Sequence, residues 1–134
     1  MKLFILCMAL VLAAVEVKSD KKEELRNVEK VCREENNITE EELQSAVKSG
    51  FKEEPREALK CYMKCILEKL GQWKNGAFEE NVAKKFLQDI PALKDHQDII
   101  EKTLNECKIQ KGVNECDTAY LISKCFMERN PRVM

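Results

Sequence analysis

The stretch Cys61-Tyr62-Met63-Lys64-Cys65 decides the fold of this chain. It lies within residues 55–70, where apolar side chains recur at the spacing of one helical face. Two cysteines four residues apart on a helix have Cβ atoms about 5–6 Å apart, whereas a disulfide requires roughly 3.5–4.5 Å. We therefore expect Cys61 and Cys65 to pair with two different partners, so that this helix becomes the centre of a cross-linked helical bundle.

The N-terminal residues have the pattern of a secretory signal peptide. Met1-Lys2 supplies a short basic start, and the apolar run from Leu3 to Val15 follows it. That run is too short to span a membrane, and the segment that ends at Ser19 is typical of a cleavage region. The sequence thus predicts a signal peptide over residues 1–19, one mature domain over residues 20–134 and a secreted, extracellular location.

The mature chain has an even number of cysteines and an almost neutral charge. Of seven cysteines, Cys7 is removed with the signal peptide and six remain. Removing Lys2, Lys18 and Glu16 from 23 basic and 24 acidic residues leaves 21 and 23. A small secreted domain with an even cysteine count is expected to form a disulfide framework. The balanced charge disfavours nucleic acid and anionic membranes as partners.

The rest of the sequence predicts an all-α fold with six helices and no strand. The second helix has a clear start signal, with Thr39 as N-cap and Glu42 three residues later. Asn75-Gly76 predicts a turn, and Asn114 is a good N-cap for a last helix that is apolar on nearly every side. The predicted helices cover about residues 21–35, 40–49, 55–70, 78–90, 95–107 and 114–129.

Helical geometry restricts the disulfide pairing without fixing it. Six cysteines allow 15 pairings. Cys116 and Cys125 are nine residues apart, which places them on opposite faces of the last helix, roughly 13 Å apart along its axis. Excluding a Cys116–Cys125 pair and a Cys61–Cys65 pair still leaves about ten of these pairings open.

The cysteine spacing, C-x28-C-x3-C-x41-C-x8-C-x8-C, resembles that of the insect odorant-binding proteins, the pheromone-binding and general odorant-binding family. The likeness covers the whole mature chain, and the x3 and x8 spacings together are quite specific. It implies a six-helix, disulfide-linked bundle that encloses an internal hydrophobic cavity. It also implies an interlocked pairing, namely Cys32–Cys65, Cys61–Cys116 and Cys107–Cys125.

The resemblance implies a secreted carrier that binds small hydrophobic ligands, odorants or pheromones, in this internal pocket. Helical faces indicate which side chains would line it, and ordinary core packing is the alternative for each of them. The predicted pocket residues are Leu59, Met63, Ile66, Leu67, Trp73, Phe78, Val82, Phe86, Ile99, Leu104, Tyr120, Ser123 and Phe126.

No catalytic residue, metal site or cofactor is expected. The sequence lacks a nucleophile–base signature, and its single histidine, His96, has no evident catalytic partner. The C-x3-C spacing is close to that of zinc sites, but a single histidine and a secreted location favour disulfides. We expect His96 to be a solvated surface residue rather than a pH sensor.

Two other uses of the same fold stay open at this point. One is a non-olfactory carrier of another lipid or of an amine, and the other is a ligand-free secreted interaction or antimicrobial module. The expected partner is a small hydrophobic ligand, with no nucleic acid and no membrane insertion. A homodimer, or a membrane receptor at delivery, is left open as a further partner.

Overall fold

Helices account for most of residues 23–129, the part of the chain that a computed structural model describes. Over this range the prediction of an all-α chain with six helices is confirmed. The elements are α1 over residues 23–35, α2 Glu40–Lys48, α3 Glu57–Lys69, β1 Trp73–Lys74, β2 Ala77–Phe78, α4 Glu80–Gln88, α5 Gln97–Cys107 and α6 Glu115–Arg129. The predicted signal peptide, residues 1–19, lies outside the described residues.

The chain divides into two compact units, Met1–Val31 and Cys32–Met134. Within the first unit the described residues form the helical segment 23–31. All contacts discussed below lie within the second unit. None of the helices in the described part of the chain has the length and apolar composition of a membrane span.

Two helices begin at the N-cap residues that the sequence predicts, Thr39 and Asn114. Thr39 Oγ1 accepts a hydrogen bond from the Glu42 backbone N–H at 3.1 Å, and α2 begins at the next residue after Thr39. Asn114 Oδ1 accepts from the Asp117 backbone N–H at 2.8 Å, at the start of α6. Each cap satisfies an N–H group that has no partner within its own helix.

The expectation of no strand is wrong for a short hairpin between α3 and α4. Asn75 and Gly76 both have positive φ, 54° and 78°, which is the geometry of the two-residue hairpin turns. The turn pairs Trp73 with Phe78 in an antiparallel ladder. Phe78, which was expected in the fourth helix, therefore lies in β2, and α4 begins only at Glu80.

Two clusters of buried apolar side chains lie in the described part of the second unit, beside further buried residues such as Leu59 and Tyr120. One joins α4 to α5 and the other joins α3 and the hairpin to α6. Phe78 and Phe126 pack against both clusters, and their ring centroids lie 5.9 Å apart. The first cluster contains Ala83, Leu87, Leu93, Ile100 and Leu104, and the second contains Leu67, Trp73, Ala119 and Ile122.

Three disulfides connect the helices in the order that the resemblance implies. Cys32 of α1 is joined to Cys65 of α3, with Cα atoms 5.7 Å apart. The Cys61–Cys116 bridge joins α3 to α6 at 4.6 Å, and the Cys107–Cys125 bridge joins α5 to α6 at 5.5 Å. As helical spacing requires, the two cysteines of α3 pair with different helices. Helix α3 is thus linked both to α1 and to α6.

Candidate ligand-binding site

The structure places the thirteen predicted pocket residues in three environments. Six are buried, four are partly buried, and three, Val82, Phe86 and Ile99, are 37, 36 and 39 % exposed. The buried residues are Leu59, Met63, Leu67, Trp73, Leu104 and Tyr120, and the partly buried residues are Ile66, Phe78, Ser123 and Phe126. Whether each of them contacts a ligand stays a prediction.

The partly buried rings of Phe78 and Phe126 lie where the two core clusters meet. Their neighbours in the clusters, such as Ala119 and Ile122, have almost no solvent-exposed surface. The two residues keep some accessible surface although they pack against both clusters. An apolar ligand that covered the rings would therefore bury more aromatic surface against an existing core.

A cleft of about 400 Å³ opens beside the second cluster. Its floor includes Trp73 and Ile122, which are buried members of that cluster, together with Phe78. Its walls come from the hairpin turn, from the α5–α6 connection and from the first turn of α6. The complete lining is Trp73, Gly76, Ala77, Phe78, Lys108, Ile109, Gln110, Lys111, Gly112, Val113, Asn114, Glu115, Thr118 and Ile122.

The α5–α6 connection gives the cleft an apolar rim. Ile109 is 72 % exposed and Val113 is 91 % exposed, so both aliphatic side chains face water although they line an apolar space. Residues 108–114 are absent from the predicted pocket, because the sequence predicts a connection over residues 108–113 and a helix N-cap at Asn114. Two large aliphatic residues within a polar connection were the available signal, since an exposed apolar patch often marks a binding surface.

Most charges around the cleft have partners. Trp73 Nε1 donates a hydrogen bond to Glu115 Oε1 at 3.4 Å, and Lys64 Nζ lies 3.7 Å from the other oxygen of this carboxylate. Lys108 Nζ lies 3.3 Å from Glu80. Lys111 makes no ion pair or side-chain hydrogen bond within the described part of the chain. The lining therefore presents one cation that is not neutralised.

A buried ion pair holds the loop that forms one wall. Lys60 Nζ lies 2.9 Å from Asp117 Oδ1 and 2.7 Å from Glu54 Oε1. The second oxygen of Asp117 accepts a hydrogen bond from the Val113 backbone N–H at 2.9 Å. Asp117 thus connects a lysine of α3 to the α5–α6 connection, and this connection carries the apolar rim.

The hydrogen bonds of this pair stabilise the charged forms of both partners. The bond to Glu54, followed by that to Asp117, raises the pKa of Lys60 above its ordinary value. The hydrogen bond from Lys60, followed by that from the Val113 N–H, lowers the pKa of Asp117. Lys60 Nζ also lies 5.5 Å from the ring centroid of Tyr120, and burial raises the pKa of that phenol.

Gly112 lets the loop approach this carboxylate closely. A Cβ atom at this position would fall 2.5 Å from Cγ of Asp117, well inside van der Waals contact. The Gly112 N–H donates to Thr118 Oγ1 at 2.9 Å, so two consecutive N–H groups of the loop, those of Gly112 and Val113, bind side chains of α6. The wall of the cleft is thereby fixed at its base.

Neither a group of possible metal ligands found in the structure nor the single histidine adds a second site among the described residues. Glu57 lies beside the Cys61–Cys116 bridge, with possible ligand atoms within 4.8 Å of one another. Both sulfurs are joined to each other, so this group offers no thiolate to a metal. His96 is exposed and precedes α5, and its side chain makes no capping hydrogen bond.

Comparison with known proteins identifies relatives over most of the chain. Residues 14–129 match the model of the PBP/GOBP family. General odorant-binding protein 56a of Drosophila melanogaster is 30% identical over 119 residues, which cover 89% of this chain and 82% of that protein.

Two solved structures are similar to this fold. Odorant binding protein 5 of Apis mellifera is 29% identical with a TM-score of 0.69, and the match covers 84% of this chain and 92% of that one. A fatty acid binding protein, OBP56a from the oral disk of the blowfly Phormia regina, is 25% identical with a TM-score of 0.63. That match covers 84% of this chain and 94% of the other.

Proposed function

Because the chain belongs to the PBP/GOBP family, it is a carrier of small ligands, and we propose that it holds the apolar part of its ligand on Trp73, Phe78 and Ile122. The observation that supports this site is the cleft of about 400 Å³ over these three side chains. Phe126 extends the same apolar surface, since its ring packs against that of Phe78. Of the remaining predicted pocket residues, the buried ones, such as Leu67 and Leu104, would support this surface from the core.

The size of the cleft suggests a ligand of moderate length. At about 30 Å³ for each water-sized group, 400 Å³ accommodates roughly a dozen non-hydrogen atoms. Binding would bury the apolar chain of such a ligand, which contributes about 25 cal/mol for each Å² removed from water. A relative in Phormia regina is described as a fatty acid binding protein, so a medium-chain lipid is a reasonable first probe.

The carrier role extends to location and partners. We propose that the chain is secreted after removal of residues 1–19, since it has the pattern of a signal peptide and six cysteines in three bridges. We expect binding and release without chemical change of the ligand. A homodimer or a membrane receptor at delivery is part of the same proposal, and sedimentation with and without ligand tests the homodimer.

Filling the cleft tests the site. Ala77 is exposed in β2 and lines the cleft, so Ala77→Trp places a large ring in it without disturbing the core. We expect this variant to bind decan-1-ol at least about tenfold more weakly, a change of roughly 1.4 kcal/mol. The binding is measured by displacement of a fluorescent apolar probe from the oxidised protein.

Ala92→Trp is the matched control. Ala92 is also exposed, but it lies in the α4–α5 connection and is not part of the cleft lining. This variant should bind decan-1-ol like the wild type. If both variants bind like the wild type, the cleft is not the site. If the wild-type protein binds no apolar probe, the carrier proposal itself is wrong.

A further inference from the structure

We propose that the cleft selects ligands with an acidic head group and that Lys111 binds this group. The inference rests on the proposed function, because it assigns a polar contact within the same site. Two observations support it: the charges of the residues that line the cleft, and the position of the α5–α6 connection. Neither of them was used to assign the apolar floor.

Three charged side chains line the cleft, those of Lys108, Lys111 and Glu115. Lys108 is paired with Glu80, and Glu115 is paired with Lys64 and with the Trp73 N–H. Lys111 alone among the charged residues of the lining has no partner within the described part of the chain. A ligand anion would therefore meet a free ammonium group, and it would not have to displace an existing ion pair.

The cleft has an apolar floor and a lysine at its rim. The floor is made of Trp73, Phe78 and Ile122, and Lys111 lies in the connection between the exposed aliphatic side chains of Ile109 and Val113. A lysine can lay its aliphatic stem along an apolar surface while its ammonium group stays in water. An amphiphilic acid fits this arrangement, with its chain on the floor and its carboxylate at the rim.

Hydrogen bonds to α6 hold the α5–α6 connection, the wall that carries Lys111, in place. The Val113 N–H is bound to Asp117, which is itself held by Lys60, and the Gly112 N–H is bound to Thr118. The two residues that follow Lys111 are thus fixed on α6. Less conformational freedom is lost on binding when the groups that meet the ligand are already in place. The same lining disfavours an amine, because Lys111 would repel its positive charge.

The experiment compares decanoic acid with decan-1-ol at pH 7.5, using isothermal titration calorimetry on the oxidised wild-type protein and on two variants. We expect the wild type to bind the acid more tightly than the alcohol. Lys111→Gln should weaken acid binding roughly fivefold, the effect of one partly exposed ion pair, and leave alcohol binding unchanged. In 1 M NaCl the preference for the acid should decrease, since salt screens an exposed pair.

Lys94→Gln is the control for charge alone. Lys94 is exposed, lies outside the cleft lining and has no partner within the described residues, so this variant should keep the wild-type preference. If Lys111→Gln keeps it as well, the head-group assignment is wrong while the carrier function stands. If both variants lose it, the effect is one of net charge, which also overturns the assignment. A wild-type protein that binds neither ligand overturns both proposals.

Discussion

At the scale of single residues, Lys60 connects the core of the molecule to the surface loop of the candidate site. Its ammonium group lies between the carboxylates of Glu54 and Asp117, and Asp117 binds the loop through the Val113 N–H. Lysine is rarely buried without an anionic partner. Here Asp117, the anionic partner, also binds the loop, so the ion pair contributes to the position of the rim together with the bond from the Gly112 N–H to Thr118.

The first prediction concerns the loss of this lysine. Lys60→Met leaves Asp117 buried without a cation, and we expect the free energy of unfolding at pH 7 to fall by about 2–3 kcal/mol. This value lies between the 0–1 kcal/mol of exposed pairs and the 3–5 kcal/mol of fully buried ones. Urea denaturation followed by circular dichroism measures it. Lys64→Met, which loses two longer ion pairs at 3.5 and 3.7 Å, should change stability by less than about 1 kcal/mol.

The same variant has a defined pH dependence. The pKa of Asp117 is lowered in the folded protein from an ordinary value of 3.8, so the stabilisation by Lys60 is fully present above pH 3.8. It is lost as the pH falls through the lower folded value. The difference in stability between wild type and Lys60→Met should therefore narrow in strong acid. A difference that stays constant from pH 7 to below the folded pKa would contradict the ion-pair explanation.

At the scale of elements, the hairpin is the part of the fold that the sequence pattern does not predict. Its strands have two residues each, too few to show the alternation of apolar and polar side chains that identifies a strand. The signal that was present is Asn75-Gly76, a dipeptide typical of tight hairpins. The sequence interpretation used it as a turn only, so Phe78 was assigned to the following helix.

The second prediction tests this turn. Gly76 has φ +78°, and a Cβ atom there would lie 2.9 Å from Glu115 Oε1. Gly76→Ala should destabilise the protein by about 1–2 kcal/mol because of the left-handed backbone. It should also displace Glu115 from the Trp73 N–H. Trp73 is the single tryptophan, so its fluorescence emission reports the displacement directly.

Gly50→Ala is the control that separates the effect of backbone strain from the effect of the contact with Glu115. Gly50 has φ +65°, and a Cβ atom there would meet nothing within 4 Å. This variant should lose a similar amount of stability, yet keep the tryptophan emission of the wild type. If both variants change the emission equally, the Glu115 contact does not account for the effect at Gly76.

The helices were predictable because their signals are local. The caps at Thr39 and Asn114 need only the next three residues, and the apolar spacing of α3 needs only its own sequence. The lining of the cleft was not predictable in this way. Gly112 and Val113 bind side chains of α6 across the loop, and no periodicity within residues 108–114 signals such contacts.

At the scale of the whole molecule, three bridges link α1, α3, α5 and α6. Helical geometry alone excluded two cysteine pairs, Cys61–Cys65 and Cys116–Cys125. The resemblance to the family then implied which of the remaining disulfide pairings forms. The positions of Val82, Phe86 and Ile99 show the limit of helical faces as a guide. All three continue the apolar face of a helix, yet more than a third of the surface of each is exposed to solvent. An apolar face shows that a helix can be covered, but it does not show which neighbour covers each residue.

The third prediction compares two bridges of different span. The Cys61–Cys116 bridge closes a separation of 55 residues and the Cys107–Cys125 bridge one of 18. In the loop-entropy description they stabilise the fold by about 4 and about 3 kcal/mol. We expect the Cys61→Ala/Cys116→Ala variant to have a lower urea midpoint than the Cys107→Ala/Cys125→Ala variant, because it loses the bridge that closes the longer loop. Equal midpoints, or the reverse order, would show that local packing outweighs loop length.

Each residue of the buried ion pair is adjacent in sequence to one cysteine of the α3–α6 bridge. Lys60 precedes Cys61, and Asp117 follows Cys116. Both links need the same placement of α3 against α6, so an alignment of the helices that brings Lys60 to Asp117 also brings the two sulfur atoms together. The ion pair and the bridge therefore stabilise one and the same register of the two helices, one by charge and the other by a covalent bond.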